Sequence, residues 1–443
     1  MSALPFFDSR LEPFERVMMQ RVKYQTIKGT FDRLPADAAK WRFIVETART
    51  VLERFGAGEI HTPVFEDVGV FQKAVGDSSD IVRKEMYTFT DRGGRNLCLR
   101  PEATAGIIRA YLEHGMASRP TPVKLWTFEP MFRGEKPQRG RERQFHQVGL
   151  EIIGLADAIA DAECIDAGVQ LLSALGIKDY VVHLGSVGDV DDRAAYNIYL
   201  RETLEPVKAR LSDDSVERLE LNPMRILDSK DRGDQELLRE LAVKPMLEFL
   251  GAEARAHFEE LRAILTAWDV PFKVDSSIVR GLDYYRRSAF EFIHNDPSMS
   301  GCSTILAGGR YDGLVEMMGG QPTPGVGWGC GAERLMLAME AEGIASPPPE
   351  QPLVYVVPLD SDSLIFAQNV ARALRGVGIA LAAYKVKGIG KAFADAEKAG
   401  ARYAVIVGSF ERETGVLSVR TLETRASTSV RLEDLPAWLE AQR

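Results

Sequence analysis

Long apolar runs are missing from this chain. No stretch approaches the ~18 consecutive apolar residues that a membrane-spanning helix needs, which excludes a helical membrane protein. The first twenty residues hold Phe6 and Phe7 but also Asp8, Glu12 and Glu15. They lack the cationic start and apolar centre of a secretory signal, and their acidity argues against a mitochondrial leader. Cysteine is scarce, with only Cys98, Cys164, Cys302 and Cys330, and no two form a C-x-x-C pair. That excludes a zinc knuckle and a dithiol redox motif, and scattered thiols suit a reducing compartment. The six histidines show neither H-x-x-x-H nor H-E-x-x-H spacing, so no protein-only metal site is expected. A cytoplasmic location without membrane contact follows as the expectation.

Positive charge is also in deficit. The formal net charge is −9 over 443 residues, which weighs lightly against a nucleic-acid partner. The deficit is uneven, because residues 351–443 carry 12 Lys+Arg against 10 Asp+Glu. Net charge governs non-specific association and does not exclude a local basic groove. At 45% hydrophobic and 27% charged, the composition is that of an ordinary globular protein, and the length calls for two or three domains.

The most informative stretch runs from Trp126 to Gly154, W-T-F-E-P-M-F-R-G-E-K-P-Q-R-G-R-E-R-Q-F-H-Q-V-G-L-E-I-I-G. It reads as strand, charged loop, strand. On the second strand Phe145, Gln147, Gly149, Glu151 and Ile153 share one face, while His146, Val148, Leu150 and Ile152 share the other. Gln147 and Glu151 then stand roughly 13 Å apart with Gly149 between them, which leaves room for a small polar molecule lying on the sheet. A solvated surface hairpin is the simpler alternative. Against it stands a strand face that is neither properly apolar nor properly polar, joined to a cationic loop.

Other stretches have a related character. Asn96–Ala105, N-L-C-L-R-P-E-A-T-A, reads as a strand entering a turn, followed by a helix from Ala105 to His114. Glu102 and Thr104 fall at the junction, where functional groups collect. Taken alone, a helix cap is the simpler reading, with Thr104 capping and Glu102 favoured by the positive helix end. Ser277–Phe292, S-I-V-R-G-L-D-Y-Y-R-R-S-A-F-E-F, carries Arg280, Asp283 and the pair Tyr284 and Tyr285. Such pairs are most often packing, although two hydroxyls can read a heterocycle. Glycines alternate at 325, 327, 329 and 331. On a strand they bare one face, so that a flat ligand can lie against the backbone. Arg334 follows at a helix start, where phosphate is favoured. The spacing is not G-x-G-x-x-G, which argues against a nucleotide-dependent oxidoreductase.

Together these stretches carry a resemblance. F-R-G-E-K-P-Q-R-G-R-E-R-Q-F-H-Q-V-G-L-E resembles motif 2 of class II aminoacyl-tRNA synthetases, in the form used by histidyl-tRNA synthetases of bacterial type. R-G-L-D-Y-Y and A-G-G-R-Y-D-G-L (Ala307–Leu314) resemble the peptides peculiar to that family. Gly325–Arg334 resembles motif 3, and the helical Ala36–Phe55 with extended Ile60–Glu66 resembles motif 1. The resemblance begins near residue 21 and covers nearly all of the chain beyond it.

The resemblance implies a two-step reaction. Histidine and ATP give histidyl-adenylate and diphosphate, and the histidyl group then passes to tRNA(His). It implies Arg133 and Arg280 as catalytic arginines on either side of the α-phosphate, and Arg334 on the far phosphates. Glu135 and Arg141 would sit around ATP and Phe145 would stack on adenine. Glu102, Thr104 and Gln147 would meet the histidine ammonium group, with Ala103 also among the histidine-binding residues. Glu151 and Tyr285 would meet the imidazole, with Tyr284 and Tyr311 lining its pocket. Lys136 and Gln138 would touch the tRNA acceptor end. Mg²⁺ bound with ATP and a homodimer are likewise implied. Gly134 departs from the bulkier residue often found between the arginine and the glutamate.

The implied fold is an α+β catalytic core with a mainly antiparallel sheet, a helical insertion, and a C-terminal α/β anticodon-binding domain with a largely parallel-type sheet. The expected boundaries are an arm at 1–20, core at 21–190, helical insertion at 191–270, core at 271–343, a proline-rich linker at 344–352, and the last domain at 353–443. Residues 1–20 are expected to be a mobile arm, or to precede a true start at Met18 or Met19; intact mass of the natively expressed protein decides between these. The rival within the same fold is the non-catalytic regulatory subunit of ATP phosphoribosyltransferase. Such subunits lack the C-terminal domain that is present here beside an intact R-G-L-D-Y-Y.

Overall fold

A computed structural model describes residues 24–76, 79, 81–278, 284–345, 347 and 351–442. The arm at 1–20, Arg280 and part of the proline-rich linker lie outside the described residues. The chain divides into two compact units, Met1–Pro347 and Pro348–Arg443.

The first unit opens with α1 (Pro35–Arg54), which has proline in its first turn and buries Ile44, Ala48, Val51 and Leu52 along one stripe. It stops before Gly56, whose φ of +76° suits glycine. Next come β1 (Gly58–Glu59), β2 (Phe65–Asp67), α2 (Val68–Val75), β3 (Thr88–Thr90), β4 (Asn96–Leu99) and α3 (Thr104–Glu113). The extended run expected over Ile60–Glu66 is interrupted. Only its end pairs with β4, since Pro63 has no N–H to give a ladder. β2, β4 and β3 make a small antiparallel sheet.

β5 (Val123–Phe132) and β6 (Gln144–Ile153) form the expected hairpin, with Glu151 opposite Leu125 and Phe145 opposite Met131. Val148, Leu150 and Ile152 enter the main core beneath, so the other face of β6 is left for Phe145, Gln147 and Glu151. Then follow α4 (Ala158–Ala174), β7 (Tyr180–Ser186), α5 (Val190–Leu204), α6 (Asp213–Leu221), α7 (Arg232–Glu240), α8 (Ala252–Ala267), β8 (Phe272–Val274), β9 (Arg286–His294), β10 (Thr304–Arg310), α9 (Leu314–Met317), β11 (Gly325–Gly331) and α10 (Ala332–Ala341). Among the described residues the main sheet runs β1-β5-β6-β11-β10-β9-β7-β8. It is antiparallel from β5 to β7, and its two edge strands pair parallel.

Two helical regions differ from the simple reading. The amphipathic pattern over Ala156–Leu175 predicts one exposed face, yet α4 is buried around most of its circumference. Its small residues, Ala160, Ala162, Ala167 and Gly168, let it lie close between sheet and helix. The stretch from α5 to α8 is likewise not one separate body. Tyr196, Leu200, Phe258 and Leu261 share the main core, whereas Leu204, Leu211, Leu219, Ile226 and Leu237 form a small core of their own.

The second unit holds β12 (Val354–Pro358), α11 (Leu364–Leu374), β13 (Ala380–Ala382), α12 (Ile389–Lys398), β14 (Tyr403–Val407), α13 (Ser409–Thr414), β15 (Val416–Thr421), β16 (Ser427–Arg431) and α14 (Leu435–Glu440). Its strand order is β13-β12-β14-β15-β16. The first three strands pair parallel, but β15 and β16 run antiparallel. The sheet is therefore mixed, and less parallel than expected. The short turn between β15 and β16 permits only antiparallel pairing. No described helix is long and apolar enough to cross a membrane.

Candidate active site

A cavity of about 1030 Å³ opens over β6, β10 and β11. Its sheet wall carries Phe145, Gln147, Gly149 and Glu151, with Gly329 and Gly331 beside them on β11. Glu102, Ala103, Thr104, Tyr284 and Tyr285 also line it, as do Arg133, Glu135, Arg141 and Arg334.

Glu151 is buried, with 2% of its surface exposed. Its Oε1 accepts the Thr104 hydroxyl at 2.7 Å, and its Oε2 accepts the Tyr311 hydroxyl at 2.5 Å. Burial pushes its pKa up to about 8; the two hydroxyl donors oppose that rise, and the Glu102 charge adds to it. The Tyr284 ring lies 4.7 Å from Tyr285 and 5.9 Å from Tyr311, edge-on to the latter. Tyr311 therefore stands behind Glu151 as its hydrogen-bond donor and is not itself among the cavity-lining residues.

The cap at α3 divides its work differently from the simple reading. The Glu102 carboxylate accepts Thr104 N at 2.8 Å and Ala105 N at 2.9 Å. Glu102 thereby satisfies the first helical N–H groups, and the Thr104 side chain is released to reach Glu151. Burial raises the pKa of Glu102, offset by these N–H donors and by Arg133.

Arg133 donates through Nε to Pro101 O at 2.9 Å, next to Glu102 in the chain, and its guanidinium lies 5.2 Å from the Phe145 ring centroid. Arg334 donates to Gly140 O at 3.0 Å and to Thr304 O at 2.6 Å. Those carbonyls orient the guanidinium without neutralising it. Burial lowers its pKa, and the charges of Arg141 and Arg133 lower it further. Arg141 pairs with Glu135 at 3.4 Å. Cations held this close favour an anion between them.

The bare face expected along β11 is only partly bare. A Cβ on Gly325 would fall inside the Tyr311 ring, and one on Gly327 inside the Glu151 carboxylate. The upper glycines thus admit the protein's own side chains, and only Gly329 and Gly331 face the cavity. Gly327→Ala is expected to destabilise the fold by about 1–3 kcal/mol through overpacking and to weaken whatever binds Glu151. A thermal melt beside a ligand titration checks both effects.

A family model described as histidyl-tRNA synthetase matches residues 29–335, and one described as an anticodon binding domain matches residues 353–442. The chain belongs to the histidyl-tRNA synthetase family. The histidine–tRNA ligase of Deinococcus deserti is 49% identical over 428 residues, 94% of this chain and 95% of that protein. That of Thermus thermophilus is 48% identical over 415 residues, covering 94% and 98%. Among solved structures, apo histidyl-tRNA synthetase from S. aureus is similar with a TM-score of 0.79 at 32% identity, covering 94% of this chain and 100% of that one.

Within this family member, Lys136 and Gln138 lie on the exposed rim of the 134–143 loop, outside the cavity lining. Arg141 N donates to Gln138 O at 2.9 Å, closing the loop tip. At Gly134, where a bulkier residue is common, the N–H donates to Glu85 O at 2.6 Å, and a Cβ would stand 3.3 Å from that oxygen. Glycine here lets the 81–85 segment approach the loop.

Several contributors were not identified from sequence. Glu142 lines the cavity, and its pKa rises to about 7 through burial and the Glu333 charge, opposed by Arg33. Glu333 accepts His146 N at 3.0 Å and pairs with Arg33 at 2.5 Å. Both glutamates sit inside quoted motifs, so position alone marked them. Ser212, Asp213, Asp214, Asp228, Ser229, Lys230 and Asp231 form the opposite wall. Helical periodicity does not tell which face of that region turns inward.

Proposed function

We propose that this chain attaches L-histidine to tRNA(His), with ATP as the activating substrate in its Mg²⁺ complex. The observation that carries the reading is one cavity lined both by Glu151 with Thr104, Tyr284 and Tyr285 and by Arg133, Arg141 and Arg334. In the first step a histidine carboxylate oxygen attacks the α-phosphorus, and the bond to diphosphate breaks. Two anions must meet, so fixed cations matter more than proton transfer. Arg133 takes the α-phosphate, Arg334 the outer phosphates, and Arg141 with Glu135 frames the nucleotide. Phe145 offers a stacking face for adenine. Arg280, outside the described residues, is read from the family peptide as the second arginine at the reacting centre.

Glu151 and Tyr285 take the imidazole, with Tyr284 beside it and Tyr311 behind Glu151 as its donor. Glu102, the Ala103 backbone, Thr104 and Gln147 take the ammonium group. In the second step the terminal ribose hydroxyl of the tRNA attacks the histidyl carbonyl and AMP departs. Lys136 and Gln138 are the rim residues read as meeting that acceptor end. A homodimer in the cytoplasm completes the reading. The regulatory-subunit alternative is disfavoured by the matched anticodon binding domain and by relatives named as ligases over nearly the full chain.

Histidine-dependent exchange of labelled diphosphate into ATP tests the reading. Exchange with histidine and none with other amino acids is the expected result; a folded protein without exchange contradicts it. Removal of residues 351–443 is expected to reduce tRNA charging by at least about 100-fold while reducing exchange far less. Charging and exchange measured on one preparation check that split.

A further inference from the structure

Next to Tyr311 in the chain lies a buried Arg310–Asp161 ion pair that the proposed chemistry does not use. Arg310, at the end of β10, and Asp161, on α4, are both 0% exposed. A guanidinium has five N–H donors. Arg310 gives Nε to Asp161 at 3.1 Å, Nη1 to Leu155 O and to Asp312 Oδ1 at 2.9 Å each, and Nη2 to Asp157 O at 3.3 Å and to Asp161. Asp161 also accepts the buried Ser288 hydroxyl of β9, and His257 Nε2 of α8 lies 3.4 Å away. The cluster therefore ties α4, β9 and β10 at a single point, with His257 of α8 packed beside it.

The next residue is Tyr311, whose hydroxyl meets Glu151 Oε2 at 2.5 Å. Its main chain is held from the other side as well. Tyr311 N donates to Gly325 O at 2.7 Å, and Asp312 Oδ1, already bonded to Arg310, accepts Gly325 N at 3.2 Å. The Tyr311 ring fills the space that a side chain at 325 would need. Both neighbours of Tyr311 in the chain are thus fixed by Arg310, one through its own guanidinium and one through Asp312.

We infer that Arg310 with Asp161 and Asp312 is a positioning element for amino-acid selection: it sets the Tyr311 hydroxyl against Glu151, so that the carboxylate presents one geometry to the incoming ring. The inference rests on the imidazole reading of Glu151. Arg310 touches no substrate and acts only through Tyr311.

A double-mutant cycle in the full-length chain tests it, read as KM for histidine and for ATP in diphosphate exchange. Tyr311→Phe alone is expected to raise the histidine KM about 10-fold by leaving a buried acceptor short of a donor; no change there removes the imidazole reading itself. Arg310→Lys in the native background is expected to raise the histidine KM about 10-fold, with the ATP KM within about 2-fold, because lysine cannot reproduce the five-donor fork. In the Tyr311→Phe background the same change is expected to add less than about 2-fold, since contacting residues that act as a unit are not additive. An equal effect of Arg310→Lys in both backgrounds overturns the inference and leaves the imidazole reading intact. Asp312→Asn, which keeps Arg310 buried beside Asp161, is the second variant. It is expected to show the same dependence on Tyr311, and an additive result there counts equally against the proposal.

Discussion

Glu151→Ala is expected to raise the histidine KM by at least about 100-fold while the ATP KM stays within about 2-fold. A site built to pair a buried carboxylate with a ring N–H loses its selectivity when that carboxylate goes, because buried polar groups left unmatched carry the discrimination. Thr104 and Tyr311 both donate to this carboxylate, so the truncation strands two donors as well. Equal rises in the two KM values would refute the assignment.

The same residue gives a pH dependence with a definite sign. In the chain alone the carboxyl is pushed up to about 8 by burial, against about 4.3 when unfolded. Between those values the folded state binds the extra proton, so this group's contribution to stability is largest below the lower value and is lost as pH rises toward the upper one. On the proposed reading, histidine brings an imidazole with a pKa of about 6.5 to this carboxyl. Carboxyl and imidazole together need one proton, which either can hold. Affinity is therefore expected to peak between about 6.5 and about 8 and to fall on both sides. Glu151→Gln should abolish the alkaline limb, and calorimetric titration across pH reads this directly.

Arg133→Ala is the second large effect. Removing one preorganised donor from developing phosphate charge typically costs about 10²–10³ in rate. Arg133 is oriented by the Pro101 carbonyl and stands beside Phe145, so it is fixed before the nucleotide arrives. Its loss should lower exchange by that factor with little change in the histidine KM. Arg133→Lys should recover only part, because an ammonium cannot fork across two oxygens. Single-turnover adenylate formation separates this from a change in nucleotide affinity.

Much of this arrangement was legible in the residues because strands have a period of two. The alternation that put Phe145, Gln147 and Glu151 on one face of β6 survives in the structure, where Val148, Leu150 and Ile152 are core. What stayed illegible depended on packing between distant segments. Glycines at 325 and 327 read as a floor for ligand, but they make room for Tyr311 and Glu151. Thr104 read as a cap, yet Glu102 caps and Thr104 turns to β6. The apolar pattern of α4 did not disclose that α8 would cover its outer side, nor that Asp161 within it would be paired to Arg310. Those outcomes follow from which elements meet, and local periodicity carries no information about that.

On the proposed reading, one cavity seats a histidine ring at Glu151 and an activated phosphate at Arg133. A crystal structure with a non-hydrolysable histidyl-adenylate analogue tests it most directly. The expected result is an imidazole nitrogen within hydrogen-bond distance of the Glu151 carboxylate and the phosphate surrogate beside the Arg133 guanidinium. An analogue bound with its ring away from Glu151, or with its phosphate surrogate out of reach of Arg133, contradicts the account.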